Sequence, residues 1–281
     1  MILDGKKLSQ ELYIKLSSKI KELNTKPCLA VILVGDDYAS SIYVRNKLKA
    51  CNELGIISKD YKLSSDISEI ELLDLIKSLN EDENIDAILV QLPLPNHIDK
   101  NNIINAIRPE KDVDGFTPYN LGLVLANQEP YFYACTPLGI KILLNHYKVD
   151  LKGKNICIIN DSIIVGRPLA AMMINEGASV SICHKYTKDL KEYTLNADIL
   201  ISATGVLHLL NDDYLKDGAI LVDVGITKKI DGKMIAGDYI KTSDKASMIT
   251  PVPGGVGPMT IYALMLNTYE ARLKKEKNER K

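Results

Sequence analysis

The chain has 281 residues, 46% of them hydrophobic and 25% charged, and 35 Lys+Arg against 36 Asp+Glu leave a formal net charge of -1. That length is enough for one large or two ordinary domains with a sizeable core, and the charge balance argues against disorder and against a general nucleic-acid binder. No apolar run reaches membrane-spanning length, MILDGKKLSQEL lacks the sections of a signal peptide, and five scattered cysteines never form CxxC, so a reduced cytoplasmic protein that binds neither membrane nor metal is expected.

Short β-branched runs alternate with longer amphipathic segments, the rhythm of an α/β fold with parallel strands. Cys28–Val34 and Asp86–Leu92 read as buried strands, with helices at 3.6-residue spacing over Ser40–Leu54 and Ser68–Leu79 between them. Ser40 is the expected cap of the first helix and Gly55 its stop. The second half repeats the pattern with a strand at Asn155–Ile159 and a helix over Pro168–Glu176 closed by Gly177. Strands follow at Ser179–Cys183, Ile199–Ala203 and Ala219–Val224. After Pro258 a helix over Met259–Tyr269 trails into ARLKKEKNERK, expected to be a solvated, frayed basic end rather than a nucleic-acid contact. A domain boundary is expected near Tyr133–Pro137.

The strand NICIIN runs into Asp161-Ser162-Ile163-Ile164-Val165-Gly166-Arg167-Pro168 and a helix. Strand, tight turn and helix N-terminus present backbone N–H groups and a helix dipole to an anion, which suits a pyrophosphate. The usual GxGxxG is absent; Asn160 and Ser162 stand for its first two glycines and Gly166 remains, so spacing alone fits an ordinary β-turn-α connection equally well. Asn tolerates positive φ, so Asn160 is expected to hold the turn that way, and Ser162 to donate its hydroxyl to a phosphate. A second loop, Asp223-Val224-Gly225-Ile226, ends a strand where a nicotinamide ring would lie. The ribose-reading position, roughly twenty-odd residues beyond Asn160, offers His184 and Lys185 in place of the acid that reads NAD, and these suit a 2′-phosphate.

For chemistry, Tyr43 and Lys47 stand four apart and share a helix face, an arrangement equally open to a solvated lysine resting on a ring. Gln91 in QLPLP is a polar group at the C-terminal end of a buried strand, where α/β proteins assemble sites. KDVDG sets Asp112 and Asp114 two apart before a glycine, which also reads as a polar turn or a calcium-like loop with too few oxygen ligands. PVPGGVGPMT is stiff and poor in side chains; it is either a plain connector or backbone lying close to a flat ligand.

Taken in order, YVRNKLKAC after VGDDYASS, VQLPLP, KDVDGF, CTPLG, SIIVGRP, CHKYT, VDVGI and PVPGGVGPMT closely resemble the bifunctional methylenetetrahydrofolate dehydrogenase/methenyltetrahydrofolate cyclohydrolase family, from about Leu3 to Tyr269. The resemblance implies a homodimer of two-domain α/β subunits. A catalytic, folate-binding domain would cover residues 1–137 and be completed by 260–281, and a Rossmann-like parallel-sheet cofactor domain would cover 138–259. It implies oxidation of 5,10-methylenetetrahydrofolate with NADP and hydrolysis of the product to 10-formyltetrahydrofolate, an oxidoreductase and hydrolase of one-carbon metabolism that supplies purine biosynthesis. By the same resemblance Lys47 is the catalytic lysine, Tyr43 the ring stacked on folate, Gln91 the partner of the lysine, and Asp114 the carboxylate bonded to the pterin. Val90, Gln91, Leu92, Pro253, Gly254, Gly255, Val256 and Gly257 would line the substrate. Asn160, Asp161, Ser162, Gly166, Lys185 and Ile226 would contact the cofactor.

The chain departs from the family at Asn160-Asp161-Ser162, where the common turn has Gly-Arg-Ser or Gly-Ala-Ser. Asp161 puts a negative charge where some members have an arginine for the 2′-phosphate, a repulsion of a few kcal/mol at close range if unscreened. Lys185 and Arg167 oppose it, so NADP is expected, with NAD possible. The alternatives are a cyclohydrolase whose dehydrogenase half is impaired by this turn, and a silent folate-binding module.

Overall fold

The computed structural model describes residues 1–228 and 235–279. Along them run α1 (Gly5–Lys21), β1 (Cys28–Val34), α2 (Tyr38–Leu54), β2 (Ile57–Leu63), α3 (Glu69–Glu81), β3 (Ala87–Val90), α4 (Lys100–Ala106), α5 (Pro118–Leu125) and α6 (Cys135–His146). They continue with β4 (Asn155–Ile159), α7 (Gly166–Asn175), β5 (Ser179–Cys183), α8 (Lys191–Thr194), β6 (Ile199–Ser202), β7 (Ile220–Asp223), β8 (Thr227–Lys228), β9 (Ile235–Ala236), β10 (Met248–Ile249) and α9 (Val256–Glu279). The chain divides into two compact units. One comprises Glu11–Leu123, Glu129–Cys135 and Ile261–Lys281, and the other Met1–Gln10, Val124–Gln128 and Thr136–Thr260.

The first unit is built on a parallel sheet of order β2-β1-β3. CLAVILV has no polar residue because β1 is central and buried along its whole length. Ala30, Ile32 and Val34 pack with Leu72, Ile76 and Leu79 of α3 and Ile103 of α4 in one core. Ser68 caps α3 in a reciprocal capping box with Glu71. α2 is capped one turn earlier than the sequence suggests. Asp37 accepts the Ser40 N–H at 2.7 Å, so Ser40 is already inside the helix, and Gly55 at φ 77 closes it. The edge strand β2 is not apparent in ISKDYKL because its outward residues other than Ile57 are polar, and only Tyr61 and Leu63 pack onto the core.

The C-terminal tail is not a frayed end. α9 continues to Glu279, and its last turns are anchored: Arg272 meets buried Asp86 at 3.5 Å, and Glu276 accepts the Thr25 N–H at 3.2 Å. The final two residues of the basic run lie outside the described residues.

The second unit holds a five-stranded parallel sheet, β10-β7-β6-β4-β5. From β4 the chain steps outward to β5 and then crosses back to β6, so the strand order reverses between β4 and β6. The loops at their C-terminal ends flank the crevice where open α/β sheets bind ligands. Residues 1–3 extend this sheet: Leu3 N–H donates to Ile249 O at 2.8 Å and Ile249 N–H to Met1 O at 3.0 Å. Met1–Gln10 therefore group with the five-stranded unit, whereas the boundaries read from the sequence keep them with the first domain.

Candidate active site

In the three-stranded unit, Gly35 at φ 78 turns the chain out of β1 into α2, which carries Tyr43 and Lys47 one turn apart. β3 ends at Val90, and Gln91 still donates its N–H to Ile32 O of β1 at 2.8 Å, so its side chain leaves at the C-terminal edge of the sheet. There Lys47 Nζ donates to Gln91 Oε1 at 3.0 Å, while Gln91 Nε2 donates to Leu92 O at 2.7 Å. The second bond occupies the amide nitrogen and so turns the amide oxygen toward the lysine. Tyr43 keeps an exposed ring, whereas Val90 is buried and Leu92 half-buried.

KDVDG has two distinct carboxylates. Asp112 is buried and accepts from Gly115 N at 3.0 Å, Thr117 N at 2.8 Å and Asn120 Nδ2 at 3.0 Å, which folds the segment into a turn. Gly115 is needed there: φ is 73, and a Cβ would sit 2.6 Å from Ala134 N. Burial pushes the Asp112 carboxyl up to about 6. Asp114 emerges from the same turn. Its burial raises its pKa, and the charge of Lys47 and the thiol of Cys135 pull it back. Lys47, Gln91 and Asp114 thus form one cluster.

Two neighbours went unnoticed in the sequence. Cys135 donates its thiol to Val113 O at 3.2 Å, and Asn267 of α9 donates to Val113 O at 2.8 Å and Tyr133 O at 3.0 Å. Together they hold the turn that carries Asp114. The available signal was a single amide, Asn267, in the otherwise apolar YALMLNTY.

Pro253–Gly257 belong to the five-stranded unit. Their glycines serve the fold itself: Gly254 has φ 111 and accepts the Lys6 N–H at 2.8 Å, and a Cβ on Gly255 would lie 2.7 Å from Pro251 O. Val256 is buried and Pro253 exposed, and the space beside Gly257 opens toward the Ile226 side chain.

The turn after β4 is organised differently from the sequence expectation. Asn160 does not take positive φ. Its amide builds the turn instead: Nδ2 donates to Ala203 O at 2.7 Å, and Oδ1 accepts from Ser162 N at 2.9 Å and Gly166 N at 3.0 Å. The Ser162 hydroxyl gives its proton to the same Oδ1 at 2.6 Å, so it is not free for a phosphate. Gly166 is required because a Cβ would run into Asn160 O, the close helix–strand approach that the last glycine of GxGxxG allows. The first N–H groups of α7 are consumed, Gly166 by Asn160 and Arg167 by Ser162 O at 3.0 Å, and Pro168 has none. Among the described residues, the N–H groups of Ile163 and Ile164 stay unbonded at the turn. Asp161 is exposed, and Arg167 Nε donates to its carbonyl at 2.8 Å. After β5, exposed His184 and Lys185 stand beside Tyr186, with Lys185 Nζ 4.9 Å from the ring centre. Ile226 is 43% exposed beyond β7.

Family models match both parts of the chain: the catalytic domain of tetrahydrofolate dehydrogenase/cyclohydrolase over residues 3–114, and its NAD(P)-binding domain over 134–276. The chain belongs to the tetrahydrofolate dehydrogenase/cyclohydrolase family. It is 53% identical over 272 residues to the bifunctional protein FolD of Hydrogenobaculum sp., covering 96% of this chain and 98% of that one. The crystal structure of bifunctional FolD from Campylobacter jejuni superposes with a TM-score of 0.96 at 50% identity, over 98% of this chain and 99% of the other. The Trypanosoma brucei dehydrogenase-cyclohydrolase, solved with NADP and an inhibitor, does so at 0.92 and 32% identity, over 98% of both chains. This family member therefore carries both family domains along nearly its whole length.

Proposed function

We propose that the chain oxidises 5,10-methylenetetrahydrofolate to 5,10-methenyltetrahydrofolate with NADP and hydrolyses the product to 10-formyltetrahydrofolate. The observation that carries this reading is the 3.0 Å bond from Lys47 to Gln91 at the end of a buried parallel strand, with Asp114 within the reach of the lysine charge. Gln91 takes one of the three ammonium protons and leaves two for substrate or water. The exposed Tyr43 ring offers a face for the pterin, and the Asp114 carboxylate an acceptor for its N–H groups. NADP, when bound, would supply the hydride acceptor for the bridging carbon. In hydrolysis, water adds to that carbon and loses a proton, the resulting hydroxyl gives up its own proton as the bond to N5 breaks and N5 takes one up, and the formyl group stays on N10, for a net release of one proton. Lys47 is placed to move these protons.

The cofactor fits the residues present. Gly166 lets α7 approach the Asn160 turn closely, Ile163 and Ile164 offer N–H groups, and His184 and Lys185 offer donors for a 2′-phosphate. NADP is the assigned cofactor, as in the Trypanosoma brucei relative. A cytoplasmic homodimer accompanies this reading on the family resemblance; among the described residues no helix is long and apolar enough to cross a membrane.

The test follows NADPH formation and loss of methenyl-folate as separate signals. The unaltered chain is expected to give both. Lys47→Ala is expected to abolish hydrolysis, by a factor of about 10² to 10⁴, and to reduce hydride transfer severely at an unchanged melting temperature. Normal turnover in that variant would overturn the assignment.

A further inference from the structure

Two buried carboxylates in the five-stranded unit have no part in the mechanism above. Asp223 ends β7, directly before Val224-Gly225-Ile226, and Asp238 follows β9; they are 3% and 0% exposed. Each is folded over the glycine beside the other. Asp223 Oδ1 accepts from Gly225 N at 2.9 Å and Asp238 N at 3.1 Å, and its Oδ2 accepts from Tyr239 N at 3.0 Å and packs against Gly237, where a Cβ would collide with it. Asp238 Oδ2 accepts from Ser202 Oγ at 2.6 Å and Thr204 N at 2.7 Å. Its Oδ1 receives no hydrogen bond and lies against Gly225, where a Cβ would likewise collide.

Burying two like charges side by side is costly, and burial together with the Asp238 charge raises the Asp223 pKa to about 6. The hydrogen bonds that the two carboxylates accept offset part of that cost. What the pair does is join loops. Asp223 holds the loop after β7, Asp238 holds the loop after β6 through Ser202 and Thr204, and between those two residues Ala203 O accepts Asn160 Nδ2 at 2.7 Å. Asn160 in turn holds Ser162 and Gly166. One chain of hydrogen bonds therefore connects the loops at the C-terminal ends of β4 and β6, which flank the point where the strand order reverses, with that of β7 beside them.

We propose that Asp238, clasped with Asp223, is a positioning residue for the dinucleotide: it sets the loops of Ala203–Thr204 and Val224–Ile226 against the Asn160 turn, so that the nicotinamide and phosphate ends of one ligand are held in register. This inference rests on the proposed function only for the identity of the ligand. Asp238 acts through acceptors on one oxygen. An amide can place its own oxygen at Oδ2 and its nitrogen at the unbonded Oδ1, whereas alanine leaves Ser202 and Thr204 without a partner.

The experiment titrates NADPH by its fluorescence into the unaltered chain, Asp238→Ala, Asp238→Asn and Ser202→Ala, and measures hydride transfer and hydrolysis on each. Asp238→Ala is expected to weaken NADPH binding and raise KM for NADP by about tenfold, with a smaller loss in kcat. Hydrolysis of supplied methenyl-folate, whose proposed catalytic residues Lys47, Gln91 and Asp114 lie in the other unit, is expected to keep its rate. Asp238→Asn is expected to stay within about twofold of the unaltered chain, and Ser202→Ala, which removes one of the two donors, to weaken binding by about threefold. Should Asp238→Ala fail to fold, Ser202→Ala and Asp238→Asn still decide the matter. Unchanged NADPH affinity in Ser202→Ala and Asp238→Ala would overturn the proposal. So would a parallel fall in both activities, or an asparagine variant as weak as the alanine one. Failure of the functional reading is distinguishable, because the unaltered chain would then show neither activity whatever its NADPH affinity.

Discussion

Asp161 shows how the position of a residue changes the weight of its charge. From the sequence it threatened cofactor binding by a few kcal/mol. In the folded chain the side chain is exposed at the turn, while Arg167 bonds its carbonyl and the Asn160 amide builds the turn without it. Exposed pairs are worth about 0.2–1 kcal/mol, not several. Asp161→Arg, which reverses the charge, is therefore expected to tighten NADP by no more than about tenfold and to leave NAD nearly unchanged. Hydride-transfer rates with the two cofactors at matched concentration check this; equal responses would place Asp161 away from the 2′-phosphate. Spacing and resemblance together led to Lys47, Gln91 and Asp114 as neighbours, and the fold brings the three side chains near one another. The roles of Asn160 and Ser162 were not legible, because which atom an amide or hydroxyl spends on its neighbours depends on the path of the backbone.

At the scale of elements, α9 diverges most from its sequence reading. ARLKKEKNERK looks like a solvated run because charge is usually exposed. Here Arg272 and Glu276, with side chains 12% and 5% exposed, are held by Asp86 and by the Asn24–Thr25 backbone, which only tertiary folding brings alongside. Arg272→Met is expected to destabilise the three-stranded unit by about 3–5 kcal/mol, because it strands the buried Asp86 carboxylate. Protease digestion and hydrogen exchange along α9 would report the loosening, and adding Asp86→Asn is expected to recover part of it. A variant as stable as the parent would show that the pair is dispensable. β2 and the short helices α4 and α5 are hard to read for a related reason: a polar edge strand carries few apolar residues, and helices of 7 and 8 residues are too short to show a period.

The stability of the whole molecule carries the signature of its buried acids. Asp112, raised to about 6, keeps its proton in the folded chain at pH values where the unfolded chain, near pKa 4, has lost it. Its contribution is therefore most favourable below about pH 4 and declines as pH rises through about 6, by up to about 3 kcal/mol. Urea unfolding of the parent and Asp112→Asn between pH 4 and 7 is expected to show the parent losing ground to the variant across that window. A difference that does not change with pH would refute the assignment.

By itself the sequence determined the two parallel-sheet regions, the strands that build their cores and the order of the chemical motifs. Hydrophobic period and turn residues are local quantities, and motif order needs no coordinates. Tertiary structure alone decided that Asp37 rather than Ser40 caps α2, and that Met1–Leu3 extend the five-stranded sheet. It also decided that Asp223 and Asp238 clasp across the loops of three strands. In each case the deciding interaction depends on where the backbone brings a donor and an acceptor together, and burial strengthens the interaction only once they meet.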